Sequence, residues 1–272
     1  MVKDTVSIII RYHKQGSFEL LKDALFSVSL QSVNTEIVLM LHNCDKSTQQ
    51  EIECFTDKLK LFSTTIKNVI MKNHNSKEDI RSKLLNDGIK VSNGEFVCFL
   101  DYDDIIYSNS FSDLKKGLEE SGAALSVGGC RTAFLEKHED FFYTKSKKPH
   151  SKEKFSFFDM LSTNYMPIHS FMISLKKVDK KDIFFNEKIK ALEDYDLLLR
   201  LISKYEFYFK TQDTPTCEYR IRNEPTHTTP FHDLENMHNY PIWIEGRKHI
   251  DSIKKELTIE HNIDTINKMQ II

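Results

Sequence analysis

Glycine and proline are scarce in this 272-residue chain, at 8 and 6 residues. That excludes a collagen-like repeat and a disordered Pro/Gly-rich chain. Nowhere do 18 apolar residues run together, so no segment reads as a membrane-spanning helix. The opening MVKDTVSIII is broken at once by RYHKQ, too soon for the apolar stretch of a secretory leader, and none is expected. Neither charge sign is in excess: 38 Lys+Arg are interspersed with 40 Asp+Glu, a net charge of -2. No global field therefore points to nucleic acid, and any anion has to be bound by a local site. The five cysteines (Cys44, Cys54, Cys98, Cys130, Cys217) include no C-x-x-C pair and are odd in number, which reads as reduced thiols in a cytosolic protein. The 11 histidines form neither H-E-x-x-H nor a Cys/His zinc spacing. Also absent are G-x-x-x-x-G-K-[ST], G-x-G-x-x-G and G-x-S-x-G, so the P-loop, dinucleotide and α/β-hydrolase readings lack their phosphate loop or nucleophile elbow.

What is present is the composition of a folded globule, 40% hydrophobic and 29% charged, long enough for one large domain or two small ones. Residues 5–10 (TVSIII) form a continuous β-branched run, as expected of a strand buried on both faces. Ser17 is placed to cap a helix with Phe18, Leu21, Ala24, Leu25 and Val28 at helical spacing, and a strand at 36–41 follows. A helix carrying Ile52, Phe55, Leu59 and Phe62 leads to a strand near 66–71. Ser76-x-x-Asp79 resembles a capping box opening the next helix, Asn93-Gly94 ends it, and EFVCFL at 95–100 reads as a further buried strand. This alternation predicts a doubly wound, mostly parallel sheet with helices on both faces, whose ligands bind beyond the carboxyl ends of the strands. A helix is expected over 108–121 and strands over 124–130 and 170–175. A strong helix is expected over 194–205, strand-like pieces over 206–221 and then a helical tail. Lys145–Lys154, polar and basic with Pro149, reads as a surface loop or the seam to a second subregion.

Three clusters could carry chemistry. Asp101-Tyr102-Asp103-Asp104 follows the strand EFVCFL directly; in extended backbone Asp101 and Asp103 project to one side, about 7 Å apart. They suit a hard divalent cation such as Mg²⁺ or Mn²⁺, or equally an acidic turn in which Asp bonds the backbone. Glu193-Asp194-Tyr195-Asp196 precedes the apolar run LLLRLI. Acids there are ordinary helix-start chemistry, and a cap that also faces a cleft can act as a general base. Tyr219-Arg220-Ile221-Arg222, with His227 beyond it, suits a diphosphate held by paired guanidinia, or an edge strand with solvated arginines.

With these residues in view, the chain resembles a family-2 glycosyltransferase of the GT-A fold over about residues 4–222. The resemblance rests on VSIIIRYHK at the start, GIKVSNGEFVCFLDYDD at 88–104, FFNEKIKALEDYDLLLRL at 184–201 and CEYRIRN at 217–223. It implies an α/β GT-A architecture: a catalytic domain over 1–222, with a nucleotide-binding half (1–104) and an acceptor-binding half (105–222), then a loop and helical tail over 223–272. It further implies that Asp101 contacts the nucleoside of a sugar nucleotide, foremost a UDP-sugar, and that Asp103 ligates Mn²⁺ or Mg²⁺ on its diphosphate, supported by Asp104. Asp194 would deprotonate the acceptor hydroxyl, with Glu193 orienting acceptor or base, so that attack inverts the anomeric centre. Arg220 or Arg222 would steady the departing nucleoside diphosphate.

The chain departs from the pattern in places. Where the family carries D-D-G-S this sequence has Leu41-His42-Asn43-Cys44, leaving Asn43 or His42 to meet the base. Arg11 replaces a Pro after the first strand and is either an extra phosphate contact or a surface residue. Arg222 stands where His is common, which leaves His227 as the candidate third metal ligand. The resemblance implies a cytoplasmic enzyme acting on a glycan or lipid-linked glycan, in bacterial surface polysaccharide assembly of the O-antigen or capsule kind. The tail from Pro241, with Trp243, Ile250, Ile253, Leu257, Ile263 and Ile266, is expected to pack on the catalytic domain; peripheral membrane contact and a homo-oligomer contact are the alternatives. Two competing functions stay open: a GT-A-shaped scaffold without turnover, motivated by the missing D-D-G-S acids, and a sugar-nucleotide nucleotidyltransferase, which would want a Gly-rich basic loop where RYHKQGS has one Gly.

Overall fold

The computed structural model describes residues 1–139, 141–150, 156–209, 215–222 and 240–269. The chain begins β1 (Val2–His13), α1 (Phe18–Ser29), β2 (Thr35–His42), α2 (Lys46–Phe62), β3 (Ile66–His74), α3 (Arg81–Val91), β4 (Gly94–Asp101). It continues β5 (Ile105–Ile106), α4 (Ser110–Ser121), β6 (Leu125–Val127), β7 (Gly129–His138), β8 (Phe141–Pro149), α5 (Phe157–Ser162), β9 (Phe171–Ser174). It ends α6 (Glu193–Ile202), β10 (Phe207–Phe209), β11 (Pro215–Arg222), α7 (Pro241–Glu256), α8 (Ile263–Lys268).

The main sheet runs β10-β6-β9-β4-β1-β2-β3. β1 pairs in parallel with β2 and β4, and β2 with β3, while β9 is antiparallel to both β4 and β6. The unbroken apolar run of β1 now has its cause. Ile9 faces one core, with Phe99 and helices α3, α5 and α6, while Val6, Ile8 and Ile10 face the other, against α1, α2 and α4. Ser17 caps α1 through Leu20 N as expected. The strand order reverses at β1, which lies between β2 and β4, and such a switch point opens a crevice at the strands' carboxyl ends.

A smaller sheet, β5-β11-β7-β8, stands beside this crevice. Gly128 lets the chain pass from one sheet to the other. A Cβ there would sit 2.4 Å from the Thr216 side chain on β11.

Two expectations are corrected. Lys145–Pro149 belongs to strand β8, paired with β7, rather than to a loop; its exposed lysines and terminal Pro149 are features of an edge strand, which carries no apolar alternation to announce it. Residues 151–154 of that stretch lie outside the described residues. Ser76 and Asp79 do not cap α3, which starts at Arg81 without a side-chain cap; Ser76 Oγ accepts from Glu78 N and Asp79 Oδ1 from Arg81 N. The tail packs on the rest of the fold as expected: Met269 is buried in the main core and its sulfur accepts from Phe207 N at 3.3 Å, while α7 packs on α6. No helix among the described residues is long and apolar enough to cross a membrane.

Candidate active site

Arg11 and Asp101 are register partners at the carboxyl ends of β1 and β4. Arg11 Nε and Nη2 donate to the two Asp101 oxygens at 2.5 and 3.0 Å, a bidentate fork. The same guanidinium reaches across the crevice, where Nη1 donates to Glu193 Oε1 at 2.9 Å. The Asp101 cluster and the Glu193-Asp194 cluster thus meet on one cation. Burial would raise the Asp101 carboxyl, but the Arg11 charge overrides it and holds Asp101 below its ordinary value.

Leu192, just before α6, adopts left-handed backbone (φ +65°), a conformation costing a non-glycine residue on the order of 1 kcal/mol or more. It turns Glu193 and Asp194 into the crevice at the helix start. Asp194 Oδ1 accepts from its neighbour's amide, Tyr195 N, at 2.7 Å and from Asn164 Nδ2 at 3.4 Å. Burial, then the adjacent Glu193 carboxylate, push Asp194 up to about 7. Asp196, on the buried side of the helix, instead pairs with Arg200 at 2.8 Å and His249 of α7 at 3.0 Å.

Two cavities open on either side of Arg11 and Asp101. One, of about 470 Å³, is lined by His13, Asn43, Arg81, Tyr102, Asp103 and Arg220, among others. The second, of about 540 Å³, is walled by Asn164, Glu193, Asp194 and Tyr195 and, on its far side, by Trp243 and Arg247 of α7. Arg11, Asp101 and Tyr219 line both. Sequence reasoning missed this wall-forming role of α7; the position of the chain's single Trp was its only signal.

The remaining candidates fall as follows. Asp103 accepts from Arg222 Nη2 at 2.6 Å, and the Arg222 guanidinium lies over the Tyr102 ring. Asp104, expected beside Asp103 in a metal shell, is instead buried and turned inward: Oδ1 accepts from Arg220 N at 2.7 Å and Oδ2 lies 3.2 Å from His169 Nδ1. The Arg220 guanidinium points to Asp23 of α1 at 2.9 Å. Asn43, in left-handed backbone (φ +56°), binds Ser76 through both amide atoms and so pins the cavity rim; the side-chain amide proposed for the base is spent on the loop. His42 Nε2 also meets Ser76 O, at 3.1 Å. Arg11 lies inside the crevice rather than on the open surface, on the wall of both cavities, with its guanidinium held by two carboxylates. His227 lies outside the described residues.

The second cavity's far wall is held close by Gly246 on α7, where a Cβ would sit 2.7 Å from Ala191 O. Gly246→Ala is therefore expected to lower the melting temperature through a strain of about 1–3 kcal/mol. That is opposite in sign to the gain of roughly 1 kcal/mol that Gly→Ala brings to a free helix. Thermal denaturation of the two proteins decides it, and a stabilised variant would show that α7 does not press on this loop.

Comparisons with known proteins agree with this fold. The model of glycosyl transferase family 2 matches residues 7–182. An uncharacterised glycosyltransferase of Rickettsia typhi, RT0329, is 24% identical over 235 residues, covering 85% of this chain and 68% of its own length. Among solved structures, S. aureus TarS 1–349 in complex with UDP-GlcNAc superposes with a TM-score of 0.66 at 16% identity, over 96% of this chain and 69% of that one. A longer TarS chain gives 0.59 at 17% identity, over 93% of this chain and 42% of that one. The chain thus spans less than half of that longer protein, and 60% of another TarS 1–349 structure. A mostly parallel α/β sheet with its acids at the β1/β4 switch point, matched by a family model across most of its length, makes this chain a member of glycosyl transferase family 2 and a glycosyltransferase of the GT-A fold.

Proposed function

We propose that the protein is an inverting, divalent-cation-dependent transferase that moves one sugar from a nucleoside diphosphate, foremost UDP, to a hydroxyl of a glycan or lipid-linked glycan. The observation that carries this reading is the Arg11 bridge: it joins Asp101, on the wall that both cavities share, to Glu193 beside Asp194 in the larger one. The first cavity is the donor site in this reading, the second the acceptor site, and reaction occurs at their shared wall. UDP is favoured because the TarS neighbour is in complex with UDP-GlcNAc. We further infer action at the cytoplasmic side of the membrane, in bacterial surface polysaccharide assembly of the O-antigen or capsule kind, in line with the bacterial relatives.

Asp194 accepts the proton of the acceptor hydroxyl as its oxygen attacks the anomeric carbon. The bond to the diphosphate oxygen breaks on the opposite face, and the configuration inverts. A group titrating near 7 is well matched to that task at neutral pH. Glu193, held by Arg11, lies next to Asp194 and, after burial, is the second cause that raises it. The donor set at the crevice fits a hard cation: Asp103 is an oxygen ligand lining the donor cavity, and such ions take one or two carboxylates and complete their shell with phosphate oxygens and water. When bound, Mn²⁺ or Mg²⁺ neutralises charge building on the leaving diphosphate. Arg222, already on Asp103, brings a fixed cation to the same place.

A thermal-shift panel of UDP-, GDP-, dTDP- and CMP-linked sugars with Mn²⁺ tests the donor class. Asp103→Ala is expected to lose at least about tenfold in Mn²⁺-dependent affinity for the donor that binds, one ligand bond being worth more than ~1.4 kcal/mol. Calorimetry giving equal affinity with and without Mn²⁺ in both proteins would remove Asp103 from a metal site. Binding without sugar transfer to any of a broad set of acceptors, or to water, would favour the scaffold reading.

A further inference from the structure

Beneath the crevice three soft-metal ligands converge from distant parts of the chain. Cys130 on β7 and Cys217 on β11 are register partners on adjacent parallel strands, so their side chains leave the small sheet on one face. His169, in the turn before β9, points at them, with Nε2 4.0 Å from Cys130 Sγ. All three residues are buried, and their ligand atoms lie within 4.8 Å of one another. Tetrahedral zinc, at about 2.3 Å to sulfur and 2.0–2.1 Å to nitrogen, needs ligand atoms roughly 3.5–4 Å apart, so a closing movement on the order of 1 Å suffices.

A second observation points the same way. The other ring nitrogen, Nδ1, lies 3.2 Å from Asp104 Oδ2 and has no aligned hydrogen bond. Metal-binding histidines keep a carboxylate or carbonyl at that nitrogen, which directs the lone pair of the far nitrogen to the ion. Charge also balances. Two thiolates neutralise a divalent ion, so a site formed with loss of two thiol protons buries no net charge. His169 lines the larger cavity, which supplies an entry path and solvent for a fourth ligand position.

We propose that Cys130, Cys217 and His169 form a binding site for a thiophilic divalent cation of the zinc class, separate from the hard-cation position at Asp103 and independent of the proposed activity. The site ties β7 and β11 to the β9 turn and, through His169, fixes Asp104 at the end of the acidic run.

The test uses the full chain, reduced and chelator-treated, with Co²⁺ or Zn²⁺ alone as probe. Expected are thiolate-to-cobalt charge-transfer absorption and about one zinc retained per chain after gel filtration, falling to under roughly a tenth in Cys130→Ala and Cys217→Ala. Cys54→Ala, on an exposed cysteine of α2, should retain it. Should the Ala variants misfold, X-ray absorption of zinc-loaded wild type gives the answer directly: two sulfur neighbours at about 2.3 Å and nitrogen at about 2.0–2.1 Å. A folded, reduced wild type with no charge-transfer band overturns the proposal. So does retention unchanged in Cys130→Ala, or a Cys130–Cys217 disulfide that persists as the ground state under reduction.

Discussion

Replacing Asp194 by Asn should lower turnover by roughly 10²–10⁴-fold, the usual worth of a positioned general base, while nucleoside diphosphate affinity stays nearly unchanged. The asymmetry follows from geometry: Asp194 lines the larger cavity and not the smaller, and Asp103 the smaller and not the larger. In the wild type kcat/KM should rise with pH, pass half its maximum near pH 7 and level off above it, as the base loses its proton. Stability responds with the opposite sign. Below about pH 4 Asp194 is protonated folded and unfolded; between there and about 7 the unfolded chain ionises it while the folded protein keeps its proton, so stability falls as pH rises. The Asn variant should thus melt higher than wild type at pH 8, by on the order of 2–4 kcal/mol, and equally at pH 4. A variant that keeps its turnover, or melts lower at pH 8, would return Asp194 to ordinary helix-start chemistry.

Arg11→Ala is the second large effect. It leaves Asp101 and Glu193 facing one another in a largely buried crevice without their shared cation. Breaking a buried ion pair from one side costs about 3–5 kcal/mol. At this chain length that is a drop of roughly 10 °C in melting temperature. Arg11→Lys should rescue little, because an ammonium cannot grip Asp101 with two parallel bonds and reach Glu193 as well. Asp101 is held low in the folded protein, so its contribution is present above its ordinary value and lost as pH falls. The deficit of the Ala variant should accordingly be largest near pH 7 and shrink toward pH 3. Equal melting curves at neutral pH would mean that solvent or a shifted side chain replaces the bridge.

The residues of the two cores were legible because burial on both faces leaves a mark in composition. TVSIII and EFVCFL could only be inner strands, and both flank the switch point. The acids of 101–104 and 193–194 stood out because carboxylates abutting such runs need a cation or a cap. What stayed hidden depends on contacts made at long range. Nothing in the sequence around Asn43 tells that its amide is taken by Ser76, or around Asp104 that it looks inward to His169. Strand β8 gave little signal because nearly all of its residues are exposed, with Phe142 alone among its described hydrophobics packed against the core. Cys130, His169 and Cys217 are too far apart for any spacing rule, and only the pairing of β7 with β11 sets two of them side by side.

The way Met269 anchors the C-terminal helices beneath Phe207 bears on the order in which the protein acquires its parts during synthesis. Among the described residues, the smaller cavity is walled by none later than Arg220, whereas the larger one also takes Trp243, Arg247 and Lys254 of α7. In the proposed reading, a nascent chain released up to β11 therefore carries the described wall of the donor cavity before the α7 wall of the acceptor cavity exists. Only when the last helices leave the ribosome and dock does the enclosure close against hydrolysis.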